Sequence, residues 1–420
     1  MLIRNDRGFT LVELMITVVV FVLVIIAASQ VFTALLTQFK QQSKIAESNI
    51  EGVVGLEIMR RDLDHAGFGL PWDLNGAAYT EAVADTATAA DDTTFNDGPP
   101  GNPSRGSDAA GNSNVPGAIR SGNDLGWIGG GAKNSDVLVI KATNIALSAA
   151  SQGWTYISNI GALNVIKSAG SQDNPPQDTP VIVVQPSRGS QRRVLVNGGN
   201  FWTLFKNNLA DFDDAFEPGP QFSMQYHVAY GISDIGTTPR MPFNRADYYI
   251  KRPIAGMPGR CAPNTGILYK GVIVNNDAST DKGKHSELPL LDCVADMQVD
   301  YWLDTDNDGT VNPPAVESIA NLTAQDMRSQ LREIRIYIIA QEGQRDANFD
   351  CTNGGTSPHC ASTVVELYPD GSSQTLDTVS GLSGPFFANL ADVVNTPTSD
   401  EYKHYRWKRY TIVVQPGNLR

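Results

Sequence analysis

The chain has 420 residues, with 45 acidic against 32 basic side chains, a formal net charge of −13 and a mean hydropathy of −0.21. That balance excludes a polytopic membrane protein and lacks the dense basic surface that a nucleic-acid backbone demands of its partner. Abundant β-branched and aromatic residues exclude wholesale disorder, and at roughly 100 to 200 residues per domain the length allows two or three domains, or one with large insertions.

The first predicted element is a helix. Leu11 to Leu36 reads LVELMITVVVFVLVIIAASQVFTALL, apolar except at Glu13, Thr17, Ser29, Gln30 and Thr33. At 1.5 Å per residue it is long enough to cross a ~30 Å hydrocarbon core. A secretory signal peptide has a shorter apolar stretch, about 7 to 15 residues, closed by a small-residue cleavage site; no such site closes this one. Arg4 and Arg7 lie ahead of it, and the positive-inside bias keeps them cytoplasmic while the rest of the chain crosses.

From Thr37 to His65 the chain turns polar. Ala46, Ile50, Val53, Leu56, Met59 and Leu63 form one helical stripe, with Glu57 and Arg61 placed for an i,i+4 pair. The helix is expected to run on unbroken and to stop at Gly67 or Gly69, before Pro71. Residues 76–131 are dominated by Ala, Thr, Asp, Gly, Asn, Ser and Pro, a composition that buries little apolar area and predicts a surface insertion. Strands are predicted at Val137 to Thr143, Val181 to Gln185, Arg193 to Val196, Phe222 to Tyr230 and Tyr248 to Ile250. Further strands are predicted at Ile267 to Val274, Met297 to Leu303, Ile334 to Ala340, Thr363 to Tyr368 and Tyr405 to Val414, all divided by Gly, Asn, Asp and Pro clusters. The fold class expected is α+β, a long N-terminal helix packed on an antiparallel β-sheet head with large loop insertions.

The junction Gly8-Phe9-Thr10-Leu11-Val12-Glu13-Leu14 resembles the type III signal of type IV prepilins and type II secretion pseudopilins. The resemblance implies a leader, residues 1–8, cut between Gly8 and Phe9 by the prepilin peptidase, with Phe9 then N-methylated. Residues 9–36 become a transmembrane and fibre-core helix, 37–66 its amphipathic continuation, and 67–420 a periplasmic and then extracellular head. An ionised Glu13 in an apolar helix costs roughly 2.5 to 3.5 kcal/mol on insertion scales, and the family implies that the amino terminus of a neighbouring subunit pairs with it. Within the subunit the sequence offers nothing suitable except the new amine of Phe9. The strings RRDLDHAGFGLPW, SDVLVIKAT, ADYYIKRP, GILYKGV, DMQVDYWLDTDNDG, LREIRIYIIAQ and HYRWKRYTIVVQPGNLR resemble minor pilins of the PilW kind. The closing PGNLR departs from that family's usual ending. A minor pilin of this kind would sit in the inner membrane in contact with lipid, meet the assembly platform, join other minor pilins and the major pilin, and prime a fibre from its tip. An adhesin or DNA-binding tip module and a type II secretion pseudopilin are the alternative readings.

Four cysteines, Cys261, Cys293, Cys351 and Cys360, lie in the part that would be translocated, where disulfides form; three connectivities are open, and Cys351 with Cys360 is the simplest loop staple, leaving Cys261 with Cys293. A zinc site is the alternative, which the lack of C-x-x-C pairs disfavours. Asp304, Asp306 and Asp308, with Gly309 and the carbonyl of Thr310, match the first half of an EF-hand-like calcium loop. Position twelve is Ala315 instead of a bidentate Glu, and a solvated turn between strands reads equally well. No catalytic string stands among the five scattered histidines, so an enzyme is not expected. In the last strand, Tyr402 to Tyr410 interleave bases with aromatics, which suits single-stranded nucleic acid but is read first as a two-faced strand.

Overall fold

The computed structural model describes residues 10–82, 95–96, 115–123, 135–160, 163–166, 173–186, 192–208, 211–218, 226–252, 256–277, 284–313, 315–350, 365–367, 373–375 and 401–419. Its first element is a single helix, α1 (Leu11–Asp64), of 54 residues and therefore about 80 Å long. Thr10 caps it through a capping box with Glu13, and His65 closes it, its N–H donating to the Arg61 carbonyl. Gly67 and Gly69 follow at φ values of 80° and 66°, so the helix ends where the glycine pair permits left-handed backbone.

The head is built from strands β1 (Ile119–Gly122), β2 (Val137–Ala142), β3 (Trp154–Ile160), β4 (Leu163–Ile166), β5 (Pro180–Pro186), β6 (Arg192–Val194) and β7 (Thr203–Leu204). These are followed by β8 (Tyr226–Gly231), β9 (Asn244–Lys251), β10 (Gly266–Ile273), β11 (Lys284–Leu303), β12 (Leu331–Glu342), β13 (Val365–Leu367), β14 (Ser373–Thr375) and β15 (Arg406–Val414), with two short helices, α2 (Ala149–Gln152) and α3 (Ala324–Gln330). All the named strands pair antiparallel. The larger sheet runs β1-β2-β9-β10-β11-β12-β15; a second runs β4-β3-β8-β5-β6, with β7 on β5. The expected α+β class is therefore observed, with two principal sheets where one was expected.

One face of the larger sheet makes the core. Met297, Val299 and Tyr301 stand opposite Ile338, Ile336 and Ile334, which in turn face Tyr410, Ile412 and Val414. Most of these side chains are buried against α1, as the two-residue period of a half-buried strand requires. Helix α1 lies across β11, β12 and β15. Its buried face keeps Leu56, Met59 and Leu63 of the predicted stripe but not its first half, because Ile50 and Val53 are 67% and 63% exposed. Gly52 and Gly55 take their place, followed by Leu56, Met59 and Leu63. A Cβ on Gly55 would come within 1.9 Å of the Leu290 carbonyl oxygen, so backbone meets backbone there. The surface pair also differs: Glu57 accepts from Arg60 at 3.4 Å rather than from Arg61.

The predicted insertion, 76–131, needs correction where it is described. Ala77, Ala82, Phe95, Val115, Ala118 and Ile119 are buried, and Ile119 opens β1. The reason is electrostatic as well as apolar. Lys141 and Arg245 are directly opposed on β2 and β9, a like-charge pair that would destabilise the sheet. The buried Glu81 bridges them, accepting from Lys141 at 2.9 Å and from Arg245 at 3.2 Å. Asp247 accepts bidentately from the same guanidinium at 2.8 and 2.9 Å.

Candidate functional site

Two halves of α1 have opposite relations to the head. From Leu11 to Leu36 the large apolar side chains stand 42% to 76% exposed, whereas the last turns are bolted down. The described chain thus holds one helix long and apolar enough to cross a membrane. A soluble protein does not leave a continuous apolar cylinder of this length in water, since patches of a few hundred Å² are already unusual.

Glu13 sits in the first turn. Its carboxylate accepts from the Thr10 N–H at 2.9 Å and the Thr10 hydroxyl at 3.0 Å, while the Thr10 hydroxyl oxygen accepts from the Glu13 N–H at 3.3 Å. The only partner expected within the subunit was the amine of Phe9; Thr10 supplies two donors instead, through a capping box of T-x-x-E spacing absent from the sequence analysis. These bonds leave the negative charge unneutralised. Gly8 and Phe9 lie outside the described residues.

At the other end, Asp62 is clamped between the Lys270 ammonium on β10 and the Tyr248 hydroxyl on β9. Lys270 also donates to the Ile145 carbonyl at 2.9 Å. Burial, with the Asp62 carboxylate beside it, drives the Tyr248 phenol well above its ordinary range, so the hydroxyl keeps the proton it donates to Asp62. Further down the helix Lys408 of β15 donates to Asn49 at 2.7 Å. Asn418 donates to the Asp64 carbonyl at 2.9 Å, which ties the chain's last described turn to the helix end. None of these anchors was readable from the sequence, because each joins positions far apart in the chain.

The loop after β11 gathers Asp304, Asp306 and Asp308, whose oxygens can lie within 4.8 Å of one another. Asp304 is buried. It accepts from Arg332 at 2.9 and 2.5 Å and from the N–H groups of Asp308 and Gly309 at 3.1 and 3.0 Å. Burial raises its pKa, but Arg332 and the Gly309 N–H outweigh it, and the net direction is down. Asp308 accepts from the Thr310 N–H and hydroxyl at 2.7 and 2.6 Å, and Asn307 and Gly309 turn the backbone at φ of 58° and 94°. The glycine at the sixth loop position thus does what the motif expected of it. Arg332, absent from the sequence reading, already supplies Asp304 with a counter-charge.

Cys261 and Cys293 form a disulfide across 32 residues, one of the connectivities left open; Cys351 and Cys360 lie outside the described residues. The staple binds the loop before β10 to β11, and Gln341 reinforces it by accepting from the Ala262 N–H at 2.6 Å. Of the histidines, His65, His227 and His404 each hold a backbone carbonyl, those of Arg61, Phe216 and Phe349. Burial lowers the pKa of His227. In the last strand Arg406 pairs with Asp346 at 3.0 Å and Lys408 with Glu342 at 2.8 Å, while Tyr405 and Trp407 are buried. Arg406, Lys408 and Tyr410 thus share one face of this edge strand, with the Lys408 ammonium 4.8 Å from the centre of the Tyr410 ring, and Trp407 and Arg409 lie on the other, so bases and aromatics are mixed on both faces.

Among curated proteins no significant match is found. A comparison with solved structures returns a type IV-like pilin from Thermus thermophilus at 13% identity and a TM-score of 0.19, covering 57% of this chain and 84% of that one. The family described as the prokaryotic N-terminal methylation motif matches residues 3–29. The chain thus carries an N-terminal methylation segment that opens a long apolar helix, and that helix bears an antiparallel sheet-rich head.

Proposed function

We propose that this protein is a minor type IV pilin of the PilW kind, a non-enzymatic subunit that joins other minor pilins to prime a fibre and takes a place at its tip. The observation that carries the reading is the division of α1. Its first half is apolar all round and exposed, and begins in a methylation motif; its second half is fixed to the head by close glycine packing and the Asp62–Lys270 pair. Before assembly the exposed half is held by lipid of the inner membrane, with the head in the periplasm. On extraction by the assembly platform, helix–helix packing replaces the lipid, and Glu13 receives the terminal amine of a neighbouring subunit as its counter-charge. Calcium at Asp304, Asp306, Asp308 and Thr310 belongs to the same proposal only as a ligand competing with Arg332. Pairing of the last strand's bases with Asp346 and Glu342 disfavours the nucleic-acid alternative.

The test compares membranes and sheared surface fibres from cells making wild-type, Glu13→Gln or Glu13→Ala protein. Each variant is expected in the membrane at wild-type level and depleted from fibres. Equal incorporation of the variants would remove the pairing role, and absence of the wild-type protein from fibres would remove the pilin reading itself.

A further inference from the structure

Between the two sheets lies a cleft of about 440 Å³, within the roughly 300 to 1,000 Å³ range of small-molecule sites. The turn after β8 supplies Ile232, Ser233, Asp234 and Thr237, β9 and β10 bring Asn244 and Val272, and Val274 follows β10. Its floor is pre-formed. The Asn275 amide oxygen accepts from the N–H groups of Arg240 and Met241 at 2.9 and 2.8 Å, and its nitrogen donates to the Phe243 and Met241 carbonyls at 2.9 and 3.1 Å. The turn that carries Asp234 is fixed as well, the Thr237 hydroxyl donating to the Asp234 carbonyl at 2.8 Å.

The chemistry of the lining selects its ligand by elimination. Among the described residues no basic side chain lines the cleft, and the Asp234 carboxylate in its wall repels a phosphate, sulfate or carboxylate. Serine hydroxyls and asparagine amides interrupt the apolar surface, which leaves no continuous wall for a greasy ligand. The Asp234 carboxylate and the Ser286 hydroxyl have no hydrogen-bonding partner among the described residues, and Ser148 uses its hydroxyl oxygen to cap α2 while keeping its proton to donate. Leu147, 59% exposed, offers an apolar surface at the same cleft. A carboxylate and one hydroxyl without partners, a second hydroxyl with a proton to donate, and aliphatic surface beside them match a ring with hydroxyls on its edge and C–H groups on its face. We infer that this cleft binds a neutral sugar residue, with Asp234 accepting hydrogen bonds from its hydroxyls and Leu147 covering a ring face. The inference uses only the head and stands apart from the fibre role.

The experiment records saturation-transfer NMR on the full chain in nanodiscs against glucose, galactose, mannose and N-acetylglucosamine, and against their methyl glycosides. At least one of these sugars is expected to receive magnetisation. A signal from the glycosides marks a chain-terminal residue as the ligand, and a signal from reducing sugars alone marks a free sugar. Asp234→Ala, at an exposed site, should weaken binding about tenfold or more, as loss of a charge-assisted hydrogen bond does. Leu147→Trp, which fills the mouth, should abolish it. Both variants should keep the wild-type melting temperature, and Asp306→Ala, in the remote loop, should bind as wild type. Binding by none of the sugars, or binding unchanged in Asp234→Ala and Leu147→Trp, would overturn the inference.

Discussion

Substituting Gly55 by alanine tests how the membrane helix is attached to the head. A helical glycine replaced by alanine normally gains about 0.5 to 1 kcal/mol, because alanine loses less backbone entropy. Here the new Cβ would lie 1.9 Å from the Leu290 oxygen, 2.6 Å from its carbonyl carbon and 2.9 Å from its Cα. That is roughly 1 Å or more inside van der Waals contact. All three atoms are backbone in the middle of a sheet, so no rotamer change relieves the clash and the helix must lift off β11. Overpacking costs about 1 to 3 kcal/mol; lifting also loosens Leu56 and Met59, which places the cost at the upper end. Net of the helical gain, Gly55→Ala should destabilise by about 2 kcal/mol. Gly52→Ala is the internal control, since its Cβ would meet only the ends of Leu291 and Tyr410 side chains at 3.2 Å, and it should stay within about 1 kcal/mol of wild type. Tryptophan fluorescence on thermal unfolding of the full chain in nanodiscs reads both variants. A Gly55→Ala protein as stable as wild type, or more so, would show that helix and sheet do not meet as described.

Lys270→Met should cost about 3 to 5 kcal/mol by stranding the buried Asp62, and the double variant Lys270→Met with Asp62→Leu should recover much of it; a double variant as unstable as the single would place the defect elsewhere. Replacing Cys261 and Cys293 by serine should cost about 3 to 4 kcal/mol for a loop of this length, read by denaturant unfolding with and without reductant, and equal stability would deny the bond a structural role. Because the Asp304 pKa is lowered in the fold, its contribution is fully present above the ordinary value of 3.8 and is lost as pH falls through the folded value. The stability gap between wild type and Asp304→Asn should therefore be constant at neutral pH and close below about pH 4; a gap that persists in acid would contradict the Arg332 pairing. If Arg332 competes with calcium, Arg332→Ala should enlarge the calcium-induced rise in melting temperature, and an equal rise in both proteins would refute the competition.

What the sequence revealed and what it hid follow from the range of the interactions. The apolar run and the methylation motif are local, so a few adjacent residues suffice to read them; the Thr10–Glu13 cap is equally local, but its T-x-x-E signal was passed over. The helix face was misread because a stripe is sought among large apolar residues; Ile50 and Val53 keep the period, but Gly52 and Gly55 let the sheet approach on a different side. A glycine pair three residues apart inside a helix was the available signal. Strand β11 was recognised only at Met297 to Leu303, because Pro289 and register shifts near Leu291 and Val294 break its two-residue period ahead of that point. Glu81 looked like one acid in an Ala- and Thr-rich stretch; only the strand pairing shows that it bridges Lys141 and Arg245. The four-residue β1, reading IRSG, has little strand character of its own and owes its place to β2. The cleft at Asp234 joins parts of both sheets, and no spacing along the chain could have shown it.

The mass and N-terminal residue of the full chain extracted from the membrane of prepilin-peptidase-competent cells test the central claim most directly. The account predicts a polypeptide that begins at Phe9, lacks residues 1–8 and is heavier by one methyl group on its terminal nitrogen, with the intact chain accumulating when Gly8 is replaced by a bulky residue. An intact Met1 terminus in such cells, or a cut beyond the apolar segment that releases the head from its helix, would contradict it.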